Sequence, residues 1–327
     1  MFSAIYIEEE VRCEDRVQEI LARFSEIPQI ECERYGEIFN RNAQNFRLQK
    51  KSPALILAKK YGNLVLTSPE GYGFQGGQSF YFSHMLNCIY DCRYCFLQGM
   101  YRSANYVLFV NYEDFAAQLE SVSTDSDQSA IFYSGYDCDS LALEPISKFC
   151  EYFLPVFKRT PNSILEIRTK STQIRSILET ESFENCVIAM SFTAHGASQQ
   201  FEHKVPSIAK RIEALLKLQQ AGWRIALRFE PIIWESQLIK NYQKLFDEIF
   251  ATLDIEKIHS VSIGEFRMPS SFYKNIVKLY PDEALFARET EISDGMISLA
   301  TKEVEPLQEL EQLLLGYISA EQYYRCA

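Results

Sequence analysis

Beyond about residue 80 the chain switches repeatedly between short apolar runs and longer stretches in which apolar residues recur every three or four positions. The clearest of the longer stretches is 207–221. There Ile208, Ile212, Leu215, Leu216 and Leu218 make a broad apolar face, and Gly222 supplies the stop. The pattern predicts strands at 79–85, 130–134, 164–169, 187–193, 225–232 and 260–263. Helices are predicted at 112–122, 145–157, 172–179, 207–221, 238–253 and 270–279. Repeated strand–helix units imply a parallel α/β sheet with right-handed crossovers, open or curled into a barrel. The six units suit a partial barrel. Residues 1–78 read as a small α/β extension with a strand at 4–7, a helix at 15–24 and a strand at 29–33. Residues 79–280 form the barrel, and 281–327 a C-terminal segment packing on it.

A parallel sheet puts its ligand site at the C-terminal ends of its strands. Polar residues gather at those ends: 135–140, Lys170, 191–195, Glu230 and 265–267. Composition supports one folded core, since 47% of the residues are hydrophobic and 24% charged, which excludes global disorder. The formal net charge of −11 argues against a generic nucleic-acid binder, because phosphate neutralisation needs a cationic footprint. A local path built from Arg41, Arg47, Lys50, Lys51, Arg102 and Arg267 would meet that need. The N-terminus has no basic region followed by an apolar one, and the apolar stretch 54–58 is too short to span a bilayer. The expectation is a cytoplasmic protein with no membrane partner.

The nine cysteines are too thinly spread for a disulfide scaffold, but Cys88, Cys92 and Cys95 fall in one C-x3-C-x2-C run with Tyr94 before the last. A [4Fe–4S] cluster normally takes four thiolates. Three in one loop would hold three irons and leave the fourth open to chelate the amino and carboxylate groups of S-adenosylmethionine, whose reductive cleavage yields a 5′-deoxyadenosyl radical. A zinc site short of a ligand, or cysteines of an ordinary core, are the alternatives. His84, His195, His203 and His259 are isolated and form no partner pair for zinc. The glycines of 71–76 fit G-x-G-x-x-G literally. They lead into a β-like run rather than a helix, so they read as a turn and not a dinucleotide site.

The loop 88–99 resembles that of the spore photoproduct lyase family of radical S-adenosylmethionine enzymes, C-x3-C-x-Y-C-[YF]-L-Q. Tyr6, Ile7 and Glu8, the 39–42 stretch, the 204–222 helix, and Phe266 with Arg267 echo the same family. The resemblance implies a partial (β/α)6 radical-SAM barrel with a small N-terminal α/β extension. It also implies a [4Fe–4S] cluster and S-adenosyl-L-methionine as cofactors. By the same resemblance Cys138 returns a hydrogen atom to the substrate radical, Tyr94 relays it, and Ser140, Lys170 and Ser191 bind the cofactor. Each has a plainer reading. Cys138 would be a small buried hydrophobe, Lys170 a solvated strand end, and Ser140 the N-cap of the following helix.

Two departures stand out. Phe96 follows the third cysteine where the family has a second tyrosine, and the 291–300 stretch, where the family has basic and aromatic residues, holds no lysine or arginine. The implied activity is a lyase that repairs DNA by radical cleavage of a thymine-dimer-type lesion, with a reductant such as flavodoxin or ferredoxin. A radical enzyme acting on a modified nucleoside or small molecule is an alternative, and so is a non-catalytic iron–sulfur module.

Overall fold

A computed structural model describes residues 2–69, 71–74, 76–125, 129–299 and 305–326. Strands Gln78–Phe82, Ala130–Ser134, Ser163–Thr169, Cys186–Ser191, Arg224–Ile232 and Ile258–Glu265 lie side by side in chain order, all parallel. Tyr323–Arg325 extends this sheet in parallel beyond Ile258–Glu265, and Val65–Thr67 closes the other edge antiparallel. This is the partial barrel that the strand–helix alternation predicts. Every residue of Ala130–Ser134 and Cys186–Ser191 is buried, as strands covered on both faces must be.

The two faces differ in chemistry. Phe82, Phe149, Phe153 and Phe157 stack within the layer between sheet and helices. The inner face is polar. Glu166 pairs with Arg228 at 2.7 Å, and both side chains are fully buried. Arg168 bridges from Glu166 at 2.9 Å to Glu230 at 3.3 Å. Burial alone would raise the Glu166 carboxyl, but Arg228 and Arg168 outweigh it and hold the group near 2.

Sheet membership crosses the expected boundary at 78/79 in both directions. Ile5–Glu8, Gln29–Cys32 and Leu55–Ala58 form a parallel sheet completed by Tyr106–Phe109, with Met85–Leu86 antiparallel at its edge. Both added strands come from beyond residue 78, while Val65–Thr67 serves the barrel. In the C-terminal segment, helix Glu305–Leu315 buries Leu307, Leu310 and Leu314 in the same core as Leu245, Phe246 and Ile249.

The helix expected over 145–157 is two helices, Glu144–Ser147 and Phe149–Lys158, broken where Lys148 takes a φ of 50°. The break is stabilised from both sides: the Cys150 N–H donates to the Glu144 carboxylate at 3.0 Å, and Tyr112 donates to the Ser147 carbonyl at 2.8 Å. The 291–300 stretch forms a hairpin, Thr290–Ser293 with Met296–Leu299, turning on Asp294 and Gly295 at φ of 50° and 77°. Ala300 lies outside the described residues.

Candidate active site

The cysteine loop leaves strand Met85–Leu86 through Asn87, whose φ is 68° and whose side-chain amide donates to the carbonyls of Ser103 and Asn105 at 2.7 Å each. Lys50 is buried and donates to the Cys88 carbonyl at 2.7 Å and the Tyr90 carbonyl at 3.0 Å. It was expected on a DNA-binding path, and that expectation fails, because its ammonium is spent on the loop backbone. Burial lowers its pKa. Arg41, Arg47, Lys51, Arg102 and Arg267 are exposed.

The middle of the loop is braced from across the fold. Asp91–Cys92 pairs antiparallel with Glu202–His203, and the Arg93 N–H donates to the Phe201 carbonyl at 2.9 Å. Arg93 also pairs with Asp91 at 2.7 Å and Glu283 at 3.2 Å, and lies 4.1 Å above the Tyr280 ring. Tyr280 donates to Gln98 at 2.7 Å, and Gln98 in turn to the Cys92 carbonyl. Much of the loop's backbone is thus satisfied by the protein, while its thiols are left to face inward.

Cys88, Cys92 and Cys95 line one cavity of about 150 Å³, together with Tyr94 and Phe96. The other wall comes from the strand ends: Tyr136, Cys138, Asp139, Arg168, Lys170 and Ser191. Burial raises all three loop thiols, Cys88 to about 12. Loading metal there therefore requires proton release. Among the described residues, no three or more His, Cys, Asp or Glu side chains are grouped to hold a single ion. A tetrahedral zinc would need such a group. A cluster makes a different demand, one thiolate for each of three irons, and three thiols spread along one cavity wall fit it. The Tyr90 N–H already donates to the Cys88 sulfur at 3.4 Å, the kind of contact that tunes cluster thiolates.

Of the other expected residues, Lys170 and Ser191 reach the cavity. The Lys170 ammonium lies 5.6 Å from the Tyr94 ring centre. Cys138 is buried, lines the cavity, and has its thiol pushed well up by burial. Ser140 does not line it. Its hydroxyl meets that of Ser134 at 2.8 Å, and since Leu143 precedes helix Glu144–Ser147 it caps no helix either. Its neighbour Asp139 takes the cavity position, accepting from Thr169 at 2.7 Å and from the Lys170 N–H at 2.6 Å. Burial nevertheless raises the Asp139 carboxyl.

Tyr94 donates its hydroxyl to Glu202, which also accepts from Ser198 and Arg211, each at 2.6 Å. Burial acts to raise Glu202, and Arg211 with Lys170 reverses it, so its pKa is lowered. Lys50, Asp139, Glu202 and Arg211 had not been expected here. Of these, Asp139 could have been flagged by its place beside Cys138 at a strand end.

Fold and site together define a partial α/β barrel with a candidate cluster centre at the C-terminal ends of its strands. The chain belongs to the spore photoproduct lyase family, whose model matches residues 80–294. It is 22% identical over 202 residues to the spore photoproduct lyase of Bacillus subtilis, covering 61% of this chain and 59% of that protein. The Clostridium acetobutylicum enzyme is 21% identical over 200 residues, covering 61% and 59%. The matches thus span 59% of these relatives' length. A solved spore photoproduct lyase mutant with bound AdoMet and dinucleoside spore photoproduct superposes with a TM-score of 0.85 at 16% identity, covering 100% of this chain and 98% of that one. A second, complexed with dinucleoside spore photoproduct, gives 0.84 at 16% identity, covering 99% of each.

Proposed function

We propose that this chain is a radical S-adenosylmethionine lyase that repairs DNA by opening a thymine-dimer-type lesion. The observation that carries the reading is the convergence of Cys88, Cys92, Cys95, Cys138 and Lys170 on one cavity of a spore photoproduct lyase family barrel. Cys88, Cys92 and Cys95 would hold the [4Fe–4S] cluster. When bound, the cluster and S-adenosylmethionine supply a hydrogen-abstracting radical, with the electron coming from a reductant such as flavodoxin or ferredoxin.

The chain's own groups orient and protect that chemistry. Lys170 offers an ammonium to the cofactor's carboxylate, and Ser191 offers a hydroxyl beside it. Cys138, held as a neutral thiol, keeps its hydrogen available for return to the product radical. Phe96 has no O–H to stand between Cys138 and Tyr94. A hydrogen atom relayed by Tyr94 would have to leave, proton and electron together, from the O–H that Tyr94 donates to Glu202. In this reading residues 79–280 carry the catalytic groups, and the flanking segments 1–78 and 281–327 each add an edge strand, Val65–Thr67 and Tyr323–Arg325, to the barrel sheet. No helix among the described residues is long and apolar enough to cross a membrane.

The hairpin favours a second reading of the substrate. Its tip bears Glu291, Asp294 and Ile292, the last 66% exposed. That surface suits an isolated or single-stranded lesion, or a modified nucleoside, better than duplex DNA. Cys138→Ala tests the reaction. With dinucleoside spore photoproduct it should still consume S-adenosylmethionine and open the lesion, but give adducts with external reductant in place of clean thymidine. Clean product at the wild-type rate would remove Cys138 from the chemistry.

A further inference from the structure

On the wall of the cavity away from the cysteine loop, Arg168 is held in a fixed plane. Its Nε donates to Glu166 at 2.9 Å and its Nη1 to Glu230 at 3.3 Å, and its guanidinium lies 4.5 Å over the Tyr72 ring and 5.6 Å from that of Tyr133. Nη2 remains. It is buried and has no hydrogen-bond partner among the described residues, while Arg168 lines the cavity. A buried guanidinium edge left without an acceptor is destabilising unless something arrives to accept from it. Tyr136 stands on the same side, its ring 5.4 Å from Tyr72 and 5.8 Å from Phe96.

The charges around Arg168 decide what kind of acceptor fits. Glu166 and Glu230 bring two negative charges against the two positive ones of Arg168 and Arg228. The group is balanced before any ligand enters, so a phosphate would add an unpaired negative charge to it. A neutral carbonyl oxygen would not, and a guanidinium edge recognises it directionally. The Tyr136 ring, which lines the cavity with Arg168, suits a flat heterocycle. We infer that Arg168, backed by Tyr72 and flanked in the cavity by the Tyr136 ring, forms a base-reading corner that donates to a ring carbonyl of a pyrimidine. This rests on the lesion-repair reading and names the part of the site that selects the base.

The test is binding, measured calorimetrically on the cluster-reconstituted protein with S-adenosylmethionine present. The ligands are dinucleoside spore photoproduct and its phosphate-bridged dinucleotide form. Wild type should bind both with similar affinity, and Arg168→Lys should weaken both about tenfold, the loss expected for one charge-assisted bond. A loss confined to the phosphate-bridged form would make the acceptor a phosphate and overturn the inference, as would unchanged affinity for both. Should Arg168→Lys fail to retain the cluster, Tyr136→Leu must weaken both ligands on its own, and unchanged binding there also overturns the inference. If wild type binds neither ligand, the lesion-repair reading falls with it. If wild type binds and the variants bind equally, only the corner fails.

Discussion

Glu202 holds Tyr94, Ser198 and Arg211 at once, with the Arg211 and Glu202 side chains 0% and 1% exposed. Glu202→Gln would leave the Arg211 charge buried and unpaired. Urea unfolding should show a loss of about 3–5 kcal/mol. Lys50 is the second residue on which the loop depends. Lys50→Met keeps its length and removes its two bonds to the Cys88 and Tyr90 carbonyls. The reconstituted variant should lose iron to a chelator several-fold faster than wild type, as followed by its absorbance near 400 nm. The residue scale also marks where sequence reading reaches its limit. Three thiols within eight positions carry their chemistry in local spacing. Lys50 meets Cys88 across 38 positions and Glu202 meets Tyr94 across 108, and only the fold brings those pairs together.

Elements with a long, regular pattern were legible. Helix Ile208–Gln220 is capped by Ser207, whose hydroxyl accepts from Lys210, and ends before Gly222 at a φ of 85°. Strand Ala130–Ser134 and helix Ser270–Leu279 fall where their apolar patterns put them. Leu55–Ala58 and Tyr106–Phe109 were not legible. At four residues each they are too short to show a period, and they join a sheet whose other members lie far off in sequence. The break after Glu144–Ser147 was also hidden, since the apolar face runs on through Lys148. That break carries a titratable group. Burial raises the Glu144 carboxyl to about 7, against the bond from the Cys150 N–H. The fold thus favours the protonated form, a preference fully present below the ordinary carboxylate pKa and lost as pH rises through 7. Glu144→Gln keeps an oxygen for Cys150 and removes the charge. It should raise stability at pH 8 by up to about 3 kcal/mol and make little difference near pH 4.5, as paired thermal melts would show.

Across the whole molecule the excess of acid is uneven. Residues 38–69 contain Arg41, Arg47, Lys50, Lys51, Lys59 and Lys60 and no aspartate or glutamate, although the chain carries 44 acidic residues. Phe46 and Lys50 from this stretch line the cavity, and Arg102 donates to Asn42 at 2.9 Å, which puts Arg102 beside it. If the stretch guides nucleic acid to the site, lesion-bearing DNA should bind with a steep salt dependence, roughly one power of salt per phosphate neutralised. Arg47→Glu with Arg102→Glu should flatten that slope by about two and leave dinucleoside binding unchanged. Equal slopes for wild type and the double variant would take these residues off the path.

The central claim is radical chemistry at a cluster held by Cys88, Cys92 and Cys95. Its most direct test is the amount of 5′-deoxyadenosine formed when the anaerobically reconstituted protein meets S-adenosylmethionine and dithionite. Wild type, carrying about four irons as such clusters do, should produce it slowly without substrate and faster with dinucleoside spore photoproduct, and Cys92→Ala should produce none. A wild-type protein that binds its full iron yet releases no 5′-deoxyadenosine under either condition would contradict the account.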